Sequence, residues 1–265
     1  MSTGPAWLFC PADRPERYAK AAAVADVVIL DLEDGVAAAD RPAAREALRR
    51  TPLDPERTVV RVNPAGTDDQ ARDLEALADT AYTTVMLAKT ESAAQVAALA
   101  PRQVVALIET PRGAVFCAEI AAADQCVAMM WGAEDLVAAM GGGSSRHSDG
   151  RYRDVARHVR SSVLLAASTF GRTALDAVYL NIGDLDGLRA EALDGAAVGF
   201  AATVCIHPSQ VAVVRDAYRP APERVDWARR VLAAAKSERG VFAFEGQMVD
   251  SPVLRHAEAI LRRAE

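Results

Sequence analysis

Short apolar runs recur along the chain at positions 6–9, 27–30, 59–62, 84–87, 104–108, 127–131, 177–180 and 203–206. They are mostly β-branched or Leu and are continuous rather than alternating. Runs of this kind fit strands covered on both faces, as in a parallel sheet. Helical patterns lie between and after them, at 14–24, 41–50, 68–79, 92–99, 112–123, 154–170, 185–198 and 208–218. Asp13 followed by Glu16 has the spacing of a capping box opening the first of these helices. A strand–helix unit repeated eight times in about 220 residues predicts an α/β fold, a (β/α)8 TIM barrel. A doubly wound sheet is the alternative, because alternation alone does not separate the two.

No linker divides the chain. The Gly/Ser-rich stretch 141–150 falls between the sixth and seventh units and reads as a mobile rim loop, a lid rather than a boundary. Beyond the eighth unit the chain continues through a helix near 223–237, a loop at 240–250 and a helix from Ser251. A barrel does not need this segment to close. The expected organisation is therefore a barrel domain at 1–222 with a C-terminal helical extension at 223–265, available to pack on a neighbouring subunit.

Composition narrows the partners. The 265 residues are 51% hydrophobic and 25% charged, enough apolar surface to offset chain ordering. Lys and Arg total 30 against 36 Asp and Glu, a net charge of −6, which argues against nucleic acid or an anionic membrane as the main partner. No apolar run approaches the ~20 residues that span a bilayer, and the N-terminus lacks the pattern of a signal peptide. The four cysteines have neither metal-clip nor redox spacing and read as buried thiols of a reducing, cytoplasmic compartment.

In barrels of this type the active site lies at the C-terminal ends of the strands. Asp31, Glu33 and Asp34 follow the second run, Arg61 and Asn63 the third, and Lys89 the fourth. Glu109 follows the fifth, Glu134 and Asp135 the sixth, Asp184 the seventh and His207 the eighth. Any one acid here could merely cap a helix or pair with a neighbour. Six from three strands, Asp31, Glu33, Asp34, Glu109, Glu134 and Asp135, would raise each other's pKa unless a cation is present, and Arg61 and Lys89 supply some of that positive charge. All-oxygen donors favour Mg²⁺ or Mn²⁺ over Zn²⁺. Asp34 and Glu134 are the members that could face outward. Arg14, Arg17 and Lys20 sit at the start of the first helix, where cations oppose the macrodipole. They read either as a site for a phosphate-like anion or as a solvated basic face.

Several segments resemble a known family. They are Leu8-Phe-Cys-Pro-Ala-Asp-Arg-Pro-Glu-Arg-Tyr-Ala-Lys20, Asp26-Val-Val-Ile-Leu-Asp-Leu-Glu-Asp34, Val60-Arg-Val-Asn63, Leu107-Ile-Glu-Thr110, Gly132-Ala-Glu-Asp-Leu136, Cys205-Ile-His-Pro-Ser-Gln210 and Gly246-Gln-Met-Val-Asp250. Taken in order, they resemble the citrate lyase β-subunit-like (CitE-like) members of the HpcH/HpaI aldolase and citrate lyase superfamily. The resemblance implies a Mg²⁺-dependent acyl-CoA lyase, working by retro-Claisen cleavage or its reverse on a citryl-, malyl- or citramalyl-CoA-like substrate. Its alternatives are a malyl-CoA-type thioesterase, a CoA-independent pyruvate-type aldolase and a carrier-protein-dependent subunit of a lyase complex.

The resemblance also implies roles. Glu109 and Asp135 match metal ligands that also meet the substrate, and Arg61 matches a substrate arginine. Phe9, Arg14 and Lys20 match CoA contacts. Asp250 matches a carboxylate given to a neighbour's site in a homotrimer or dimer of trimers. These roles are chemically coherent. A 2-oxo acid chelates a metal, and Arg61 is a permanently charged donor suited to an enolate. Asp250 would exchange the proton of the thioester methyl carbon, or only start the last helix. Glu33 and Asp31 would orient metal-bound waters or Arg61, Glu33 being counted with the catalytic set. His207 has a structural or binding role, and His147, His158 and His256 have none in the chemistry. Relatives often read Pro-Gly-Asn where this chain has Pro11-Ala12-Asp13.

Overall fold

A computed structural model describes residues 4–238 and 240–264. Eight parallel strands close into a barrel in sequence order: β1 (Ala6–Pro11), β2 (Val27–Asp31), β3 (Thr58–Val62), β4 (Thr84–Leu87), β5 (Gln103–Ile108), β6 (Cys126–Trp131), β7 (Thr173–Asp176) and β8 (Ala202–Cys205). β8 returns to pair with β1, Trp7 opposite Val204, so the barrel itself has no edge strand. The helices are α1 (Tyr18–Val24), α2 (Arg41–Arg50), α3 (Asp68–Ala78), α4 (Ala93–Ala97), α5 (Pro111–Val115), α6 (Cys117–Ala122), α7 (Ala133–Ala139), α8 (Asp154–Thr169), α9 (Leu185–Val198) and α10 (Pro208–Tyr218). The barrel expectation holds.

Strand parity sets what fills the interior. Trp7, Val27, Ile29, Val59, Met86, Val105, Leu107, Met130, Leu175 and Val204 form one buried cluster. Intervening residues such as Leu8, Val28, Leu30 and Val60 are equally buried, on the other face of the strands. Both faces are therefore apolar, which is why the runs are continuous rather than alternating. Phe9, Asp31, Arg61 and Glu109 stand two residues beyond interior positions 7, 29, 59 and 107. A period of two aims them at the barrel mouth.

Four local expectations are corrected. The seventh strand is Thr173–Asp176, not 177–180: Thr173 pairs with Ala128 and Asp176 with Thr203, and the more apolar stretch after it is loop. The pattern at 112–123 is two short helices that break at Phe116. Asp13 does not cap the first helix. The first turn is a 3-10 turn over Pro15–Arg17 whose N-cap is Arg14, so the Asp13–Glu16 box is out of register by one residue, and Asp13 Oδ1 is buried without a hydrogen-bond partner. The 141–150 loop is tied down rather than a free lid. Arg146 bridges to Tyr152, pairs with Glu191 and stacks 3.7 Å from the Tyr152 ring.

The chain divides into two compact units, Met1–Val214 and Arg215–Glu265. The second contains α11 (Pro222–Ala235), β9 (Phe242–Phe244), β10 (Gln247–Val249) and α12 (Ser251–Ala264). Its core is Ala228, Val231, Val249 and Ala257, with Trp227, Phe242 and Leu254 against it. The expected loop at 240–250 is a β-hairpin. Its two turn residues, Glu245 and Gly246, both have positive φ, at 50° and 78°, the geometry that suits strand twist. Asp250 caps α12, accepting from Val253 N at 3.3 Å.

Candidate active site

The mouth of the barrel is built on one ion pair. Asp31 ends β2 and is buried. Its carboxylate accepts backbone N–H groups from Glu33 at 3.0 Å and Gly35 at 2.8 Å. Arg61, opposite Asp31 in the β2–β3 register, adds two bonds of 2.6 Å. The guanidinium also lies 3.2 Å from Glu33 and 4.6 Å from the centre of the Phe9 ring. Burial alone would lower the Arg61 pKa. Asp31, Glu33 and Glu109 more than reverse this, so the group stays charged.

Two further carboxylates face this pair. Glu109 follows β5 and is buried. Burial first, and the neighbouring Asp135 second, push its pKa up to about 8. Asp135 stands in the first turn of α7 with its side chain 42% exposed. The chain can pass from β6 to α7 beside Glu109 because residue 132 is glycine. A Cβ there would lie 2.9 Å from Glu109 Cβ and Oε2. Lys89, just beyond β4, donates its backbone N–H to Glu109 at 2.9 Å. Its ammonium bonds Glu33, reaches Asp34 at 3.2 Å and lies 3.7 Å from Asp135. Burial would lower its pKa, but Glu33, Glu109 and Asp135 raise it instead. Burial raises the Glu33 pKa, against the pull of Arg61 and Lys89.

Asp31, Glu33, Arg61, Lys89, Glu109 and Asp135 thus meet in one cluster. Its donors fit a small hard cation. Glu109 is poorly solvated and is repelled by the more exposed Asp135 beside it, and both offer oxygen only. Among the described residues, no three His, Cys, Asp or Glu side chains converge as a complete cage. A cation held by Glu109 and Asp135 would therefore complete its shell with water and substrate, as Mg²⁺ commonly does.

Other rim candidates are placed elsewhere. Asp34 is 57% exposed and touches only the outer side of Lys89. Glu134 accepts a bond from Ser145 instead of facing the cluster. Asn63 is buried against Leu32 O and Asp73. Asp184 caps α9 and bonds the Tyr179 hydroxyl. The acid that does end β7 is Asp176, which the misplaced strand concealed. It is buried, accepts Trp131 Nε1 at 2.7 Å and pairs with Arg160 on α8, on the outer face of the strands.

Phe9 links the cluster to a cavity of about 400 Å³ lined also by Cys10, Arg17, Lys20 and His207. Arg17, not singled out among the CoA contacts, supplies the second cation there; Arg14 pairs with Asp13 at 3.6 Å. His207 Nδ1 faces Ser209, whose backbone N–H lies at 3.2 Å. An Nδ1 that accepts this bond leaves Nε2 carrying the proton. Burial pushes the Cys10 thiol up to about 11, which disfavours the thiolate that a nucleophile needs.

A family model described as HpcH/HpaI aldolase/citrate lyase matches residues 6–208. The chain is 76% identical over 263 residues to the "Citrate lyase subunit beta-like protein" of Mycobacterium tuberculosis (strain ATCC 25618 / H37Rv), covering 99% of this chain and 96% of that one. It superposes with a TM-score of 0.97, over 99% of this chain and 98% of the other, on a crystal structure of CitE from M. tuberculosis in complex with magnesium, acetoacetate and coenzyme A. It is 32% identical over 266 residues to the mitochondrial citramalyl-CoA lyase of Homo sapiens, covering 88% of this chain and 77% of the relative.

Proposed function

This chain belongs to the HpcH/HpaI aldolase/citrate lyase family, and on that premise we propose a Mg²⁺-dependent acyl-CoA lyase acting on a 3-hydroxyacyl-CoA. It cleaves, or in reverse forms, the C–C bond between an acetyl-CoA-type enolate and a 2-oxo acid. The substrate is citryl-, malyl- or citramalyl-CoA-like. The observation that carries this reading is the continuity of two features. An acid pair, buried Glu109 with the half-exposed Asp135, faces a locked arginine, and the Phe9 wall beside that arginine runs on into a basic cavity.

Each residue has a task. Glu109 and Asp135 hold the cation, which supplies Lewis acidity to the oxo-acid half of the substrate when bound. Arg61, fixed by Asp31 and Glu33, places a permanent positive charge where the thioester enolate develops. That arrangement needs no reorientation during the reaction, so the charge stabilises the transition state more than the ground state. Phe9 packs against the pantetheine arm, while Lys20 and Arg17 meet phosphates, with Arg14 at the outer edge. Asp250 delivers a proton to the enolate carbon, or removes one in synthesis. It does so in a neighbouring subunit of a trimer or dimer of trimers, with the C-terminal extension packing there.

The four cysteines are free and buried, which supports a reducing cytoplasm. Among the described residues no helix is long and apolar enough to cross a membrane.

The test is direct. Purified protein with Mg²⁺ is incubated with a panel of 3-hydroxydicarboxyl-CoA thioesters, and the products are identified by mass. Acetyl-CoA and a 2-oxo acid are expected, lost with EDTA and in Glu109→Ala. Free CoA with an intact hydroxy acid would indicate a thioesterase. Cleavage without CoA would indicate a free oxo-acid aldolase, and turnover only on an acyl-carrier protein a complex subunit.

A further inference from the structure

Lys89 is one of two described residues other than glycine with a left-handed backbone, φ +50°; the other, Glu245, sits in the hairpin turn. Left-handed geometry is unfavourable for a residue with a Cβ, so the surrounding bonds must hold it. Here they aim the Lys89 N–H at Glu109, while the next amide, Thr90 N, bonds Leu107 O at 3.0 Å. The same residue then sends its ammonium to acids from two other parts of the rim, Glu33 and Asp34 after β2 and Asp135 in α7. Arg61 is already committed to Asp31 and Glu33. Among the described ion pairs, Asp135 therefore has Lys89 as its cation.

We propose that Lys89 is a positioning residue that serves as the resident counterion of the rim. It holds Glu33 and Asp135 in place before a divalent cation arrives, and gives up Asp135 when one binds. The inference rests on the metal site proposed above. Two charges of like sign cannot both sit against Asp135 without mutual repulsion. Lys89 has somewhere to go, because Glu33 and Asp34 already accept its ammonium. Metal affinity is then lower than two bare carboxylates would give, and the metal-free mouth is spared their repulsion.

Three proteins decide this: the wild type, Lys89→Met and Lys89→Arg, each stripped with EDTA and dialysed. Mn²⁺ binding is followed by electron paramagnetic resonance and Mg²⁺ binding by calorimetry. Melting is recorded metal-free and at saturation. Lys89→Met is expected to bind the cation about tenfold tighter, the scale of one nearby like charge removed. Its Tm should fall without metal and return towards that of the wild type with metal, and Lys89→Arg should behave as the wild type does. Unchanged or weaker binding by Lys89→Met overturns the inference, as does an equal Tm loss with and without metal, which is what a packing role gives. Should Lys89→Met not fold, Lys89→Gln is read by the same criteria. A wild type with no saturable Mg²⁺ or Mn²⁺ binding sinks the metal site itself and this inference with it, an outcome distinct from the other two.

Discussion

Arg61 and Asp31 meet through two parallel bonds, Nε to Oδ1 and Nη2 to Oδ2, each 2.6 Å long, at directly opposed positions of β3 and β2. The planar fork fixes where the positive charge sits. A lysine keeps the charge but not the fork. Arg61→Lys is expected to lower kcat by roughly 10²–10³-fold, the usual loss for one preorganised donor. Asp31 keeps its two backbone bonds, so the far-ultraviolet circular dichroism should be unchanged. Activity within about threefold of the wild type would remove Arg61 from the chemistry.

Glu109 gives the metal-free protein a defined pH dependence. Its pKa is about 8 in the fold against an ordinary 4.5, so between these values the native chain holds a proton that the unfolded chain has lost. Stability therefore falls as pH rises through that interval and levels off above it. Thermal melts from pH 5 to 9 in EDTA should show the fall, and Glu109→Gln should flatten it. A cation needs the deprotonated carboxylate, so Mg²⁺ affinity should rise over the same range.

In the Phe9 cavity, charge reversal separates binding from turnover. Lys20→Glu and Arg17→Glu should each raise KM for the acyl-CoA about tenfold while leaving kcat within about twofold. The defect should shrink in high salt, which screens exposed charges. Initial rates at two ionic strengths check this, and an unaltered KM would put the nucleotide elsewhere.

Asp250 is expected to act on the proton and not on the metal. Asp250→Asn should abolish turnover without changing Mg²⁺ affinity. Mixing it with Arg61→Ala in subunit-exchanged oligomers tests whether the acid crosses between subunits. Recovered activity from two inactive parents supports the crossing, and none argues that each chain serves its own site.

Asp176 is a matter of stability. Its buried carboxylate satisfies Trp131 and Arg160 together. Asp176→Ala strands both and should cost about 3 kcal/mol, seen as a lower Tm, while Asp176→Asn keeps an acceptor for Trp131 and should cost less.

Much of this was legible from the chain. Seven apolar runs fall on strands to within two residues because both faces of a barrel strand are dry, so nothing polar interrupts them. The seventh failed because its strand ends on a buried charge, Asp176, followed by a more apolar loop. Asp31 and Glu109 were legible because each stands two residues past an interior position, where parity fixes which way it points, whereas Glu33 and Asp135 lie beyond their strands and were legible only as acids following an apolar run. The sequence places Lys89 at its strand end as a positive charge among the rim acids, but no pattern announces its left-handed backbone or which three acids its ammonium reaches. The hairpin at 242–249 is not legible in the sequence, because Glu245-Gly246 is a weaker turn signal than Asn-Gly. Asp13 has a cap's spacing, but spacing alone does not show that the first turn begins one residue later, with Arg14 at its N-cap.

Gly132 bears on how such barrels change over time. Its extended φ of −124° suits any amino acid, so only the bare space beside Glu109 demands glycine. Alanine is one nucleotide away in the genetic code, and the added methyl would press on the carboxylate while every strand stayed paired. Descendants of this gene therefore stand a single point mutation from becoming folded but silent copies, free to be recruited for tasks that need the scaffold alone.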